Sequence, residues 1–301
     1  MEHMKLLDSC TICPRSCSVN RNHGEIGYCG VGSELLVARA ALHMWEEPCL
    51  SGEKGSGTVF FSGCAMGCVF CQNHEIALGR KGKYISISRL SEIFLELQEK
   101  GANNINLVTP SHYVPQIIEA LREAKRKGLV LPIVYNSSGY EKVETLKLLE
   151  GLIDIYLPDF KYMDPDIAMR YSKCSDYSAF AKPAILEMFR QTGIPVFDKE
   201  GLMIKGTIVR HLSLPGYLYD SKDILTYLQE TYQEKIYISI MNQYTPMLTM
   251  EDHPELKRKV TLEEYEELVM FAKLIRIRNA FIQEEETQDE SFIPDFDGEG
   301  V

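Results

Sequence analysis

Three cysteines crowd one short stretch of this 301-residue chain: Cys64, Cys68 and Cys71, in the run Phe60-Phe-Ser-Gly-Cys-Ala-Met-Gly-Cys-Val-Phe-Cys-Gln-Asn73. A cubane iron–sulfur cluster has four irons and is usually held by four thiolates, so three ligands in one loop leave one iron open to bind something else. The spacing also departs from the ferredoxin run, in which a cluster is fully wrapped and only passes electrons. A zinc knuckle, or thiols without a metal, is the competing reading. Gly57 to Phe61 reads as a short β-branched and aromatic strand, and Gly63 and Gly67 let the loop that follows fold tightly around a cluster.

A second group, Cys10, Cys13, Cys17 and Cys29, combines a Cys-x-x-Cys pair with glycine turns, which also reads as a metal site. Tetrahedral zinc and a fully ligated [4Fe-4S] cluster both fit four thiolates. Four cysteines leave no open coordination position, so the spacing points to structure before electron relay. Arg15, Arg21 and His23 could tune or cover the site, a solvated surface being the default for each.

The elements that must position these thiols are visible as a periodic pattern. Strands are predicted near residues 58–62, 104–109, 132–136, 153–157, 205–210 and 236–241. Helices are predicted near 88–100, 113–127, 140–150, 177–192, 221–232 and 261–279, with Ser221 and Thr261 as caps. Strands alternating with helices of this length pair in parallel through right-handed crossovers. Six such units make a partial (βα)6 TIM-like barrel, short of the eight strands that close a TIM barrel and open laterally for a large substrate. The expected division is a Cys-rich extension at 1–52, the barrel at 53–250, and a C-terminal helix with an acidic tail at 251–301.

In such folds function sits at the carboxyl ends of the strands, and polar punctuation follows each one. Thr109-Pro-Ser111-His112-Tyr113 comes after the second strand, Asn136-Ser137-Ser138-Gly-Tyr140 after the third, and Asp159-Phe-Lys161-Tyr162 after the fourth. Arg210 closes the fifth, and Tyr244 follows the sixth. Asp159 and Lys161 form a structural ion pair or serve ligands, and the four tyrosines line a substrate wall or pack.

The Cys64–Cys71 loop resembles the signature of the radical S-adenosylmethionine (SAM) superfamily, to which Phe70 before the third cysteine also belongs. With Cys10-Thr-Ile-Cys13-Pro-Arg15-Ser-Cys17, Asn104-Ile-Asn-Leu-Val-Thr-Pro-Ser-His-Tyr113, Tyr156-Leu-Pro-Asp-Phe-Lys-Tyr162 and Ile208-Val-Arg-His-Leu-Ser-Leu-Pro-Gly216, the chain resembles the pyruvate formate-lyase activating enzyme-related radical SAM proteins. That resemblance implies a [4Fe-4S] cluster on Cys64, Cys68 and Cys71 whose open iron is chelated by SAM. It implies reductive cleavage of SAM to a 5′-deoxyadenosyl radical that abstracts hydrogen from a protein, peptide or small molecule, activation of a glycyl-radical enzyme being one case. A low-potential donor, flavodoxin or ferredoxin, is implied as well. By the same resemblance, Thr109, Ser111 and His112 approach SAM, although Thr-Pro-Ser-His replaces the Gly-Gly-Glu-like motif common there. Asn136, Ser137 and Ser138 stand where relatives contact the ribose or carboxylate, good turn material being the other reading. Arg210 offers a bidentate fork for the methionine carboxylate or a substrate carboxylate.

Composition bounds the remaining readings. A net charge of −11 argues against nucleic acid, since phosphate binding needs a basic surface. No apolar run is long enough to cross a membrane and no leader-like segment opens the chain, so a cytoplasmic protein is expected. Cysteines grouped at metal-ligand spacings fit a reducing compartment. The acidic stretch from Glu284 to Glu299 is expected to be solvated or loosely docked.

Overall fold

The structure, a computed structural model, describes residues 2–246, 252–283 and 294–301. Its strands are β1 (Leu35–His43), β2 (Ser56–Phe61), β3 (Lys83–Ile85), β4 (Ile105–Val108), β5 (Ile133–Ser137), β6 (Ile155–Pro158), β7 (Val196–Phe197), β8 (Met203–Leu212), β9 (Tyr237–Met241) and β10 (Ala280–Ile282). The helices are α1 (Pro48–Ser51), α2 (His74–Ala77), α3 (Ile87–Glu99), α4 (Val114–Arg126), α5 (Val143–Lys147), α6 (Pro165–Ser172), α7 (Tyr177–Thr192), α8 (Leu218–Tyr232) and α9 (Leu262–Leu274).

One sheet runs in the order β10-β9-β8-β6-β5-β4-β2-β1-β3. Along that order it is parallel between β2 and β10 and antiparallel where β1 joins β2 and β3, and β7 pairs antiparallel with β8 off that path. The six expected strands are β2, β4, β5, β6, β8 and β9, each leading into a helix, and together they form the partial (βα)6 barrel. The Cys-rich segment precedes it. Val59 pairs with Leu107, Leu107 with Tyr135, and Tyr135 with Tyr156, so the strand ends line up at one rim.

Helix α3 shows why the pattern was readable. Ser86 caps it by accepting from the Arg89 N–H at 3.0 Å, and Leu90, Ile93, Phe94 and Leu97 form one buried stripe against the sheet. Each such side chain contributes about 1.5–3 kcal/mol on burial. Thr261 caps α9 through a full capping box with Glu264, as expected. Ser221 does not cap α8, which begins three residues earlier; its hydroxyl instead meets His211 Nε2 at 2.8 Å.

The acidic tail differs from its expectation where it can be followed. Residues 284–293 lie outside the described residues, but 294–301 dock on β1. Strand β3 pairs only with Leu35–Val37, which leaves the next edge groups of β1 unpaired. The tail takes them: Gly298 N–H donates to Ala38 O at 3.1 Å, and Ala40 N–H donates to Glu299 O at 2.9 Å. Phe296 is buried edge-on against Phe60, and Arg39 pairs with Asp297. Among the described residues, no helix is long and apolar enough to cross a membrane.

Candidate active site

At the end of β2 the chain turns sharply. Gly63 and Gly67 adopt positive φ, and a Cβ on Gly63 would stand 2.7 Å from the Cys29 carbonyl oxygen, so only glycine fits there. Cys64 N–H donates to that same carbonyl at 3.2 Å, Cys71 N–H donates to Cys68 O at 3.2 Å, and Met66 N–H points at the Cys64 sulfur. The Ser172 hydroxyl, from the last turn of α6, donates to Cys68 Sγ at 3.0 Å. All three thiols are free and line one open cavity. Burial pushes the Cys64 thiol up and the Cys71 thiol up to about 12, while the Lys161 ammonium works in the opposite direction.

The strand ends complete the cavity. Phe70 comes from the cysteine loop, Thr109 from β4, Asn136, Ser137 and Ser138 from β5, Asp159 and Lys161 from β6, and Arg210 from β8. Thr109 holds φ +59°, with its N–H donating to Asn136 O at 2.9 Å. Phe70 packs edge-on against Tyr162, Tyr171 and Tyr244 and walls the thiols on that side.

A chain of charges crosses the floor. Lys161 Nζ meets Asp159 Oδ2 at 2.6 Å, Asp159 Oδ1 accepts from Arg210 Nε at 3.0 Å, and Arg210 Nη1 donates to Glu46 Oε1 at 3.0 Å. Arg210 Nη2 reaches Asn136 Oδ1 at 2.6 Å, and Asn136 Nδ2 returns to Glu46 Oε2 at 2.9 Å. Burial alone would disfavour every charge here. The carboxylates of Asp159 and Glu46 outweigh it for Arg210, holding its pKa above the usual value, and Lys161 and Arg210 outweigh it for Asp159, holding that carboxyl low. Glu47, with less compensation, is pushed by burial up to about 7.

Several expectations are corrected by this geometry. Arg210 Nε, Nη1 and Nη2 already meet partners within the chain, so its guanidinium braces the floor and does not present an open fork. Asp159 and Lys161 form the ion pair. Ser111 and His112 are not among the cavity lining: the Ser111 hydroxyl donates to buried Glu141, and His112 Nε2 meets Ser62 O at 2.8 Å behind the cysteine loop. Burial pushes the His112 imidazole down to about 3 and keeps it neutral. Tyr113, Tyr140, Tyr162 and Tyr244 are all buried packing residues and line no wall. Two residues of consequence carried no sequence signal for the roles seen here. Glu46 lies in an unpatterned loop after β1, and Arg15 reaches back to the carbonyls of Ala65 and Ser172, both at 2.8 Å.

Among the described residues, no group of three or more His, Cys, Asp or Glu side chains is arranged to hold a single metal ion. A cubane needs no such convergence, because each thiolate takes a different iron. Three free thiols on one cavity, a hydroxyl donating to one sulfur and a nearby ammonium are the donor set and surroundings that suit such a cluster.

A family model described as the radical SAM superfamily matches residues 58–227, more than half of the chain. An uncharacterised protein of Methanocaldococcus jannaschii is 28% identical over 276 residues, covering 89% of this chain and 75% of that protein. The structure of SuiB from Streptococcus suis bound to S-adenosylmethionine aligns with a TM-score of 0.50 at 13% identity. That alignment covers 74% of this chain and 49% of SuiB, so the chain spans about half of SuiB's length, and the likeness is one of fold. A domain of pyruvate-formate lyase-activating enzyme from Bacteroides vulgatus aligns with a TM-score of 0.41 at 12% identity, over 57% of this chain and 92% of that domain. The matched segment contains the three-cysteine loop and every strand-end residue from Thr109 to Arg210: the chain belongs to the radical SAM superfamily.

Proposed function

We propose that this protein is a radical SAM enzyme in which Cys64, Cys68 and Cys71 hold a [4Fe-4S] cluster and the polar strand ends hold SAM. The single observation that carries the reading is the convergence of three free thiols and the β4, β5, β6 and β8 ends on one cavity. When bound, the cluster and SAM supply reductive carbon–sulfur cleavage and hydrogen abstraction from a substrate. The chain's own groups do the rest. Phe70 and the tyrosines behind it exclude water from one side, Ser172 donates to a cluster sulfur, and Lys161 places a positive charge beside the thiolates. The hydroxyls of Thr109 and Ser138 offer hydrogen bonds of the kind that an amino acid and a ribose require, while the Asn136 amide and the Ser137 hydroxyl are engaged by Arg210, Glu46 and Glu141.

The cavity continues past Glu46 and Arg210 into a second one of about 710 Å³, between the loop after β1 and the β9–β10 edge. That breadth supports a protein or peptide substrate, a glycyl-radical enzyme among them, and flavodoxin or ferredoxin is the donor in this reading. Anaerobic reconstitution, dithionite reduction and chromatography for 5′-deoxyadenosine test it. SAM-dependent formation of 5′-deoxyadenosine is expected; none from fully cluster-loaded protein overturns the reading.

A further inference from the structure

Cys10, Cys13, Cys17 and Cys29 take no part in the chemistry above, yet they are built against it. Cys10 N–H donates to Val19 O, and Ser18 N–H returns to Cys10 O, both at 2.9 Å, while Ser16 N–H closes a tight turn on Cys13 O. These turns force Ser16 and Ser18 into positive φ, at 44° and 56°, conformations that cost non-glycine residues on the order of 1–3 kcal/mol each. The packing behind the first three cysteines is slight: Leu7, Cys10 and Ile12, with Met4 and Val19 against them, form one small apolar cluster, while Cys29 and Val31 join the main core. A module this small needs a staple. The four thiols are free, and Cys10, Cys13 and Cys29 are buried.

The surrounding groups suit a negatively charged centre. Arg21 is 1% exposed, and its guanidinium meets Gly32 O, His112 O and the Cys10 sulfur. Arg15 donates to the carbonyls of Ala65, Met66, Ser172 and Lys173. Among the described residues the buried Arg21 guanidinium pairs with no carboxylate, and a buried cation without an anion is costly. Four thiolates around a [4Fe-4S]²⁺ cube carry two net negative charges, and Arg21 stands against one of the four sulfurs. Tyr28 N–H, aimed at Cys17 Sγ at 3.3 Å, is the kind of donor that such sulfurs accept from.

We propose that Cys10, Cys13, Cys17 and Cys29 hold a second, closed [4Fe-4S] centre, a cube that needs no convergence of thiols on a single ion, with Arg21 beside it, and that this centre positions the catalytic loop. The link is direct. The Cys29 carbonyl accepts from Cys64 N–H, and Arg15, set between Cys13 and Cys17, grips the loop at Ala65 and Met66 together with Ser172, whose hydroxyl serves Cys68. Arg15 is a positioning residue in this arrangement. Only the positioning claim rests on the function proposed above.

The test is a metal count on anaerobically purified full-length protein in which Cys64, Cys68 and Cys71 are all replaced by Ala. About four irons per chain should remain. A folded, metal-free triple variant overturns the second centre, and if that variant does not fold, the same count is made on Cys71→Ala. A natural chain holding no more metal than the triple variant sinks the catalytic cluster and leaves the second centre standing. In Arg15→Ala the second centre's metal should remain, while SAM affinity for the reduced catalytic cluster, read by its EPR change, falls at least tenfold. Unchanged SAM affinity overturns the positioning claim.

Discussion

The two cysteine groups use one ligand type for opposite ends. Cys64, Cys68 and Cys71 are half-buried, sit on a loop kinked by two glycines and face a cavity. Cys10, Cys13 and Cys29 are buried, only Cys17 is half-exposed, and the group faces backbone and Arg21. Three thiolates at a cavity leave a coordination position for chemistry, and four in the interior leave none. The difference lies in ligand count and surroundings, since both groups belong to one hydrogen-bonded body through the Cys29–Cys64 contact.

The largest test of that contrast exchanges the losses. Cys71→Ala is expected to abolish 5′-deoxyadenosine formation, by more than about a thousandfold, while the second centre keeps its metal and the circular dichroism is unchanged. Cys17→Ala is expected to do its first damage to folding, lowering the unfolding free energy by several kcal/mol, because metal binding at a closed site is folding free energy. If Cys17→Ala leaves the thermal midpoint in place, or Cys71→Ala unfolds the chain, the division between working and building cysteines is wrong.

Ser172→Ala probes the point where the two regions meet. Its hydroxyl donates to Cys68 Sγ while its carbonyl accepts from Arg15, so the substitution removes the sulfur contact and leaves the clamp. A hydrogen bond to a cluster sulfur favours the more negative, reduced state, so its loss should lower the reduction potential. The cluster should still assemble, with 5′-deoxyadenosine formation about tenfold or more slower. A redox titration that superimposes on the natural protein's would show that the bond has no bearing on the cluster.

How much of this was legible in the sequence follows from which signals are local. The six parallel strands are short apolar runs alternating with amphipathic helices, and burial between layers writes that pattern directly into the chain. Strand β1 lacks it: Leu-Leu-Val-Ala-Arg-Ala-Ala-Leu-His is rich in alanine, and its pairing is set by β2 and β3. Strand β10 has three residues, too few for any period. At the site, the cysteine loop was readable because its ligands are neighbours in sequence. Ser111 and His112 misled because a polar residue after a strand can turn to either side of its loop, and here Glu141 and Ser62 take them inward. Glu46 and Arg15 act across 164 and 157 residues, on Arg210 and Ser172, and no local spacing encodes such contacts.

Glu141 gives the smallest expected effect and sharpens the boundary between the two regions. It is fully buried, accepts from the Ser111 hydroxyl, and lies close enough to the Cys-rich segment for its charge to bear on Cys13. Burial pushes its carboxyl from 4.5 up to about 7, against the hydroxyls of Ser111, Ser137 and Tyr135. A carboxyl whose folded pKa is raised binds more protons in the folded state, so its contribution is fully present below pH 4.5 and is lost as pH rises through 7. The loss amounts to about 3 kcal/mol at most, taking 1.36 kcal/mol per pH unit over that interval. Glu141→Gln removes the titration while keeping an acceptor for Ser111. Thermal melts of natural and variant protein between pH 5 and 8 should therefore diverge, with the variant gaining relative stability as pH rises. Parallel curves across that range would mean that Glu141 is already ionised in the folded chain, with a cation or water beside it.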